Sequence, residues 1–241
     1  VAFPASLTDV RSETIAMRQP RSYRPAIGAF FFLLCAGFAS TAAWAEDFTS
    51  RDGGPSEAQM LGRGDGGLPG MAFVRPVLDG VLYRAGFKGG DKAHTGLSGA
   101  QRKALCEAGF SGARYVDFGS KTDFGVTSCG GNSLTYKKGS SGSTHDIMKD
   151  IHSVIEDPGK GPILVHCMWG VHSSGSVSAM ALVQFCGWPE SRAKAYWNKA
   201  RNNAPCGKAG CDAWIDGKFA RFKVDPSLKI TPAQQKEICP H

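Results

Sequence analysis

Hydrophobic positions along this 241-residue chain follow two rhythms. Short apolar runs alternate with longer stretches in which apolar side chains recur every three or four residues, the spacing of one helix face. Val81-Leu-Tyr-Arg-Ala-Gly86 predicts a strand. Ser98-Gly-Ala-Gln101 has the form of a capping box and opens a helix through Leu105 and Cys106, with Gly109 as its stop. Ala113-Arg-Tyr-Val-Asp-Phe118 predicts a second strand, and residues 133–137 a third. Ile147, Met148, Ile151, Val154 and Ile155 then share one helix face, which Ser143 or Thr144 can cap and Asp157-Pro-Gly159 ends. Ile163-Leu-Val165 reads as a strand buried on both faces. The helix after it, from about Ser174 to Cys186, is apolar almost all round and should be buried. Pro189 opens another helix through Tyr196 and Trp197 to about Asn203, and residues 213–222 form the last. Strands alternating with helices predict an α/β fold, a central mostly parallel sheet flanked by helices.

Composition divides the chain. Residues 1–45 read as a signal peptide: a basic stretch after Met17, which is taken as the start, a short apolar run over 26–39, and Ala43-Trp-Ala45 as a cleavage site. The apolar run is shorter than the roughly 20 residues a spanning helix needs, so no stable membrane span is expected after processing. Export to a secreted or periplasmic location follows. Residues 46–73 are rich in Gly, Ser and charge and read as a flexible lead-in, leaving 74–241 as the folded domain. Four of the 28 basic and two of the 21 acidic residues leave with the signal, so the net charge falls from +7 to +5. That mild excess suits anionic ligands without demanding nucleic acid, and no nucleic-acid partner is expected.

Of the eight cysteines, Cys35 lies in the signal, leaving Cys106, Cys129, Cys167, Cys186, Cys206, Cys211 and Cys239. In an oxidising compartment six can pair, with connectivity open, and one stays odd. Cys167 differs from the others in its setting. It follows the buried strand and precedes the buried helix, where free amides and the helix dipole favour an anion and a thiolate. Gly170 lets the loop turn its amides inward.

Pro162-Ile-Leu-Val-His-Cys-Met-Trp-Gly-Val-His-Ser-Ser-Gly175 resembles the phosphate-binding loop of the cysteine-dependent protein tyrosine and dual-specificity phosphatases, whose pattern is His-Cys-x-x-Gly-x-x-Arg-Ser/Thr. His166, Cys167, Gly170 and Ser174 fall in register, and Leu82-Tyr-Arg-Ala-Gly86 resembles an entry strand of the same family. The resemblance implies a protein-tyrosine-phosphatase-like fold over about residues 77–203. It makes Cys167 the nucleophile that forms a cysteinyl phosphate, and so the candidate for the free thiol, since such a nucleophile must stay reduced. Ser174 would be the hydroxyl that helps sulfur leave, and His166 a residue orienting the loop by hydrogen bonding. Met168, Trp169, Gly170, Val171, His172 and Ser173 would surround the phosphate, with Trp169 expected to be buried.

Two parts of that pattern are missing. Ser173 stands where the family has arginine, a permanent cation able to grip two phosphate oxygens at once. His172 beside it is a weak substitute. No carboxylate lies between Asp123 and Asp146, where the family's general acid belongs. Asp123, Asp146 and His145 are the nearest replacements, and Asp117 reads as structural. The leading reading is therefore an exported pseudophosphatase that binds a phosphorylated protein or a small phosphate ester. The alternative is an active phosphatase with atypical ligands, and a third reading gives Cys167 redox chemistry. No cofactor is expected. His166, Cys167 and His172 lack an accompanying Cys-x-x-Cys pair, so no metal is expected either.

Overall fold

The computed structural model describes residues 47–116, 124–139, 144–208 and 210–241. Six strands form one sheet: β1 Met71–Leu78, β2 Leu82–Phe87, β3 Gly112–Tyr115, β4 Gly125–Cys129, β5 Asn132–Lys138 and β6 Ile163–His166. Their order is β1-β2-β6-β3-β5-β4. β2, β6, β3 and β5 run parallel, and β1 and β4 close the edges antiparallel. This is the α/β sheet, mostly parallel at its centre, that the sequence predicts.

The helices are α1 Glu57–Met60, α2 Gly99–Glu107, α3 Thr144–Glu156, α4 Ser173–Cys186, α5 Glu190–Ala200, α6 Cys211–Phe219 and α7 Pro232–Ile238. Two cores divide the faces of the sheet, following the period of two along each strand. Leu82, Ile163 and Val165 face a core built with α3, α4 and α5. Tyr83, Ala85, Leu164 and Tyr115 face the other, which α2 covers with Leu105 and Cys106. Ser98 and Gln101 form the predicted capping box, and the five apolar residues of α3 are all buried. The buried α4 puts Val177, Met180, Leu182 and Phe185 into the first core.

Cys106–Cys129, Cys186–Cys239 and Cys206–Cys211 are bridged, and Cys167 is the free cysteine among the described residues. The neighbours Cys206 and Cys211 thus pair with each other.

The reading of 46–73 as flexible is corrected. Phe48, Met60 and Leu68 are buried in the cores. Ser56 and Gln59 cap α1, and the Arg51 guanidinium donates to the carbonyl of Val154 at 2.7 Å. A boundary at 73 also cuts through β1. Polar composition hid a few well-spaced apolar anchors, which are enough to hold a segment against a core that already exists. Asp117 and Asp123 lie outside the described residues, as does the expected signal segment. No helix among the described residues is long and apolar enough to cross a membrane.

Candidate functional site

β6 lies at the centre of the sheet, between β2 and β3, and its C-terminus runs through residues 167–172 into α4. Such a loop, outside the carboxyl ends of parallel strands and at a helix N-terminus, is where α/β sheets take ligands. Cys167 is 4% exposed, and its amide donates to the Ala85 carbonyl at 3.3 Å. Its sulfur lies 3.3 Å from the Ser174 hydroxyl oxygen, which is itself 3.4 Å from the Ala85 carbonyl. The thiol and the hydroxyl that the sequence picked out are thus in contact. Among the described residues, the amides of Trp169, Gly170, Val171, His172 and Ser173 donate to no backbone carbonyl. Unpaired donors at a helix start are what an anion nest requires.

Gly170 has φ +64°, and a Cβ there would lie 2.5 Å from the Gly86 nitrogen and 2.7 Å from the Ala85 carbonyl carbon. Backbone meets backbone at this point, so only glycine fits. Met168, half-buried, accepts a hydrogen bond from the Phe87 amide at 3.2 Å. Val171 is buried and its carbonyl turns inward to Arg84. Cys167, Met168, Trp169, His172 and Ser173 line an open pocket of ≈ 200 Å³ with Pro205, Cys206 and Trp214. Ser173 is the first residue of α4.

Three expectations change. His166 does not orient the loop by hydrogen bonding: both ring nitrogens are buried without a partner. The ring stacks on Tyr115 with centroids 4.8 Å apart and meets Phe87 edge-on at 5.1 Å. Burial pushes its pKa down to about 3, so it is a neutral packing residue at the foot of the loop. His172 is no cation in place of arginine. Burial lowers its pKa, against the opposing influence of the Ala204 and Pro205 backbone, and Arg201 and Arg84 lower it further. Trp169, expected to be buried, is 42% exposed at the mouth. Its ring lies flush on Gly90, where a Cβ would come within 2.6 Å of it.

No carboxylate lines the pocket among the described residues. Asp146 sits exposed in the first turn of α3, where it complements the helix dipole. His145 lies 3.5 Å from Asp225 and borders a different cavity.

The sequence reading missed two arginines. Arg84 on β2 is 0% exposed, and its guanidinium donates to the Gly170 carbonyl at 2.9 Å and the Val171 carbonyl at 3.0 Å. A third contact reaches the Tyr196 hydroxyl at 3.3 Å. Arg75 on β1, 2% exposed, donates to the same Gly170 carbonyl at 3.3 Å and to that of Ala200 at 3.1 Å. The available signal was Arg84 itself, a charge inside an apolar strand, which is rare unless it is put to use.

No protein-family model and no curated protein matches the chain. Among solved structures, the crystal structure of Tk-PTP in the active form aligns with a TM-score of 0.41 and 13% identity, covering 62% of this chain and 98% of that one. With so few shared residues, the local geometry around Cys167 is what bears on function.

Proposed function

We propose that the protein is an exported oxyanion-binding pseudophosphatase. It seats the phosphoryl group of a phosphorylated protein or small phosphate ester over Cys167 and turns it over slowly or not at all. The observation that carries this reading is the contact of the free Cys167 thiol with Ser174, beside a row of amides that donate to no backbone carbonyl, in a pocket that neither arginine nor carboxylate lines among the described residues. Three disulfides suit the oxidising compartment that export implies.

The chemistry explains the impairment. Thiolate attack on phosphorus forms an S–P bond and breaks the P–O bond, leaving an alkoxide that needs a proton. With no carboxylate lining the pocket among the described residues, a poor leaving group departs unprotonated. In the second step water breaks the S–P bond, and the Ser174 hydroxyl stabilises the departing thiolate. An activated aryl phosphate needs no acid, so a shortfall in its turnover reports the other missing part, the cation that Ser173 does not supply to the three phosphoryl oxygens.

The experiment is steady-state hydrolysis of p-nitrophenyl phosphate beside calorimetric titration with vanadate, with Cys167→Ser as control. Vanadate binding with turnover at or barely above the Cys167→Ser level is the expected result. Rapid turnover that disappears in Cys167→Ser overturns the impaired reading in favour of an active cysteine phosphatase. Failure to bind vanadate overturns both.

A further inference from the structure

Arg75 and Arg84 face each other in register across the β1–β2 pair. Like charges directly opposite on neighbouring strands repel, and these two are buried as well, where charge is most costly. Among the described residues neither guanidinium has a carboxylate partner. Their acceptors are the carbonyls of Phe73, Gly170, Val171 and Ala200 and the Tyr196 hydroxyl. The Nε of Arg84 is buried with no acceptor among the described residues. Desolvation, and then the neighbouring Arg84, push the pKa of Arg75 down to about 9, while Cys167 acts in the opposite direction. Two buried cations with no counter-ion among the described residues are costly, a cost that a bound anion would offset.

The carbonyls they hold belong to the Cys167 loop. A trans peptide points its C=O and the following N–H in opposite directions, and the chain has no cis peptide bond among its described residues. With the Gly170 carbonyl drawn inward to both guanidinium groups, the Val171 N–H faces outward. With the Val171 carbonyl drawn inward to Arg84, the His172 N–H does the same. Gly175 leaves room for the guanidinium, since a Cβ there would lie 2.7 Å from its Nη2.

We infer that Arg84, backed by Arg75, is a positioning residue for the oxyanion: it aims the loop amides outward and supplies from beneath the positive charge that Ser173 lacks. The ligand class is a tetrahedral oxyanion carrying two negative charges, gripped by amides rather than by an arginine fork. This deepens the proposed function and rests on it.

The test compares the whole protein with Arg84→Met, which keeps the stem and loses charge and donors, and with Arg84→Lys, which keeps the charge but reaches fewer carbonyls. Two readouts are taken on variants whose circular dichroism and three disulfides match the wild type. The first is vanadate affinity. The second is the pH profile of Cys167 alkylation by iodoacetamide, which needs no bound anion. Among the described residues, the charged and titratable groups around that thiol are Arg84 from β2, Arg75 from β1, His166 from β6 and His172 before α4, and the neutral Ser174 hydroxyl touches its sulfur. The expected result is at least about a tenfold loss of vanadate affinity in Arg84→Met, with an alkylation midpoint moved to higher pH and both partly restored in Arg84→Lys. A role in packing alone leaves the midpoint in place, and an unmoved midpoint in folded Arg84→Met overturns the inference. If wild-type protein binds no vanadate, the proposed function falls, and the alkylation profile still decides on Arg84. If Arg84→Met does not fold, Arg75→Met is judged by the same readouts, with a smaller shift of the same sign expected and no shift overturning the inference.

Discussion

Arg84 and Arg114 flank Val165 in the same register, one on each neighbouring strand of β6. Both are buried. The fold nevertheless treats them in opposite ways. Arg114 contacts the carboxylate of Asp150 on α3, a neutralised pair. Arg84 is given carbonyls, a phenol and a second arginine. A buried guanidinium needs an opposite charge to offset its desolvation, and Arg114 has one within the protein. Arg84 sits under the loop whose outward face holds Cys167 and the unpaired amides. Of the two, the arginine without an internal counter-ion is the one that points to a ligand.

The largest effect should come from breaking the contact between Arg84 and the loop through the backbone. Gly170→Ala adds a Cβ within 2.5 Å of the Gly86 nitrogen, at a residue held at φ +64°. The left-handed conformation alone costs about 1–2 kcal/mol, and the collision of two backbones must push the Gly170 carbonyl off both arginines. Vanadate affinity should fall about 100-fold or more, equivalent to about 2.7 kcal/mol. Calorimetry on the folded variant checks this, and near-normal affinity would mean that the carbonyl's inward turn is dispensable.

Next in size is Ser173→Arg, which restores charge on the outward face. Ser173 opens α4 and lines the pocket beside Cys167. A guanidinium there can reach an oxyanion from above while Arg84 acts from below. Affinity for vanadate should rise about tenfold, about 1.4 kcal/mol. An unchanged affinity in a well-folded variant would show that residue 173 does not occupy the arginine position of the phosphatase loop.

The two halves of this site were unequally legible. Strand β6, the loop and α4 announce themselves because their signals are local: an apolar run, a glycine, then a helix apolar on every side. The capping box of Ser98 and Gln101 and the stripe on α3 are likewise short-range patterns. β1 is not, since Met71-Ala-Phe-Val-Arg-Pro-Val-Leu78 breaks its apolar run with Arg75 and Pro76. Pro76 is tolerable because β1 is an edge strand, a fact of topology rather than sequence. β4 hid for a related reason, being mostly exposed and polar. Thr231 and Gln234 do carry the capping box of α7, but Pro-Ala-Gln-Gln-Lys-Glu-Ile has too few apolar residues to show a periodic face. The rear of the site was missed because Arg84 and Arg75 meet the loop across 86 and 95 residues of chain. Such contacts exist only once β1, β2 and β6 are side by side. The neutral state of His166 is also a product of assembly, made by Tyr115, Phe87 and Tyr136 closing round it.

The smallest effect belongs to the other arginine, and it sharpens the comparison most. Arg114→Met removes a guanidinium of the same register row, on the opposite side of Val165. Its partner Asp150 is 35% exposed, so water can take over much of the lost contact, and the cost to stability should be about 1 kcal/mol. Arg114 reaches Asp150 on α3, whereas the loop carbonyls are held by Arg84 and Arg75. Vanadate affinity should therefore stay within about twofold of wild type, a change of about 0.4 kcal/mol. Chemical denaturation and calorimetry on one preparation give both numbers. If Arg114→Met instead weakens vanadate as much as Arg84→Met does, the oxyanion senses the summed positive charge of the domain. Aimed amides would then be the lesser part of the grip, and the contrast between a neutralised arginine and a waiting one would lose its meaning for function.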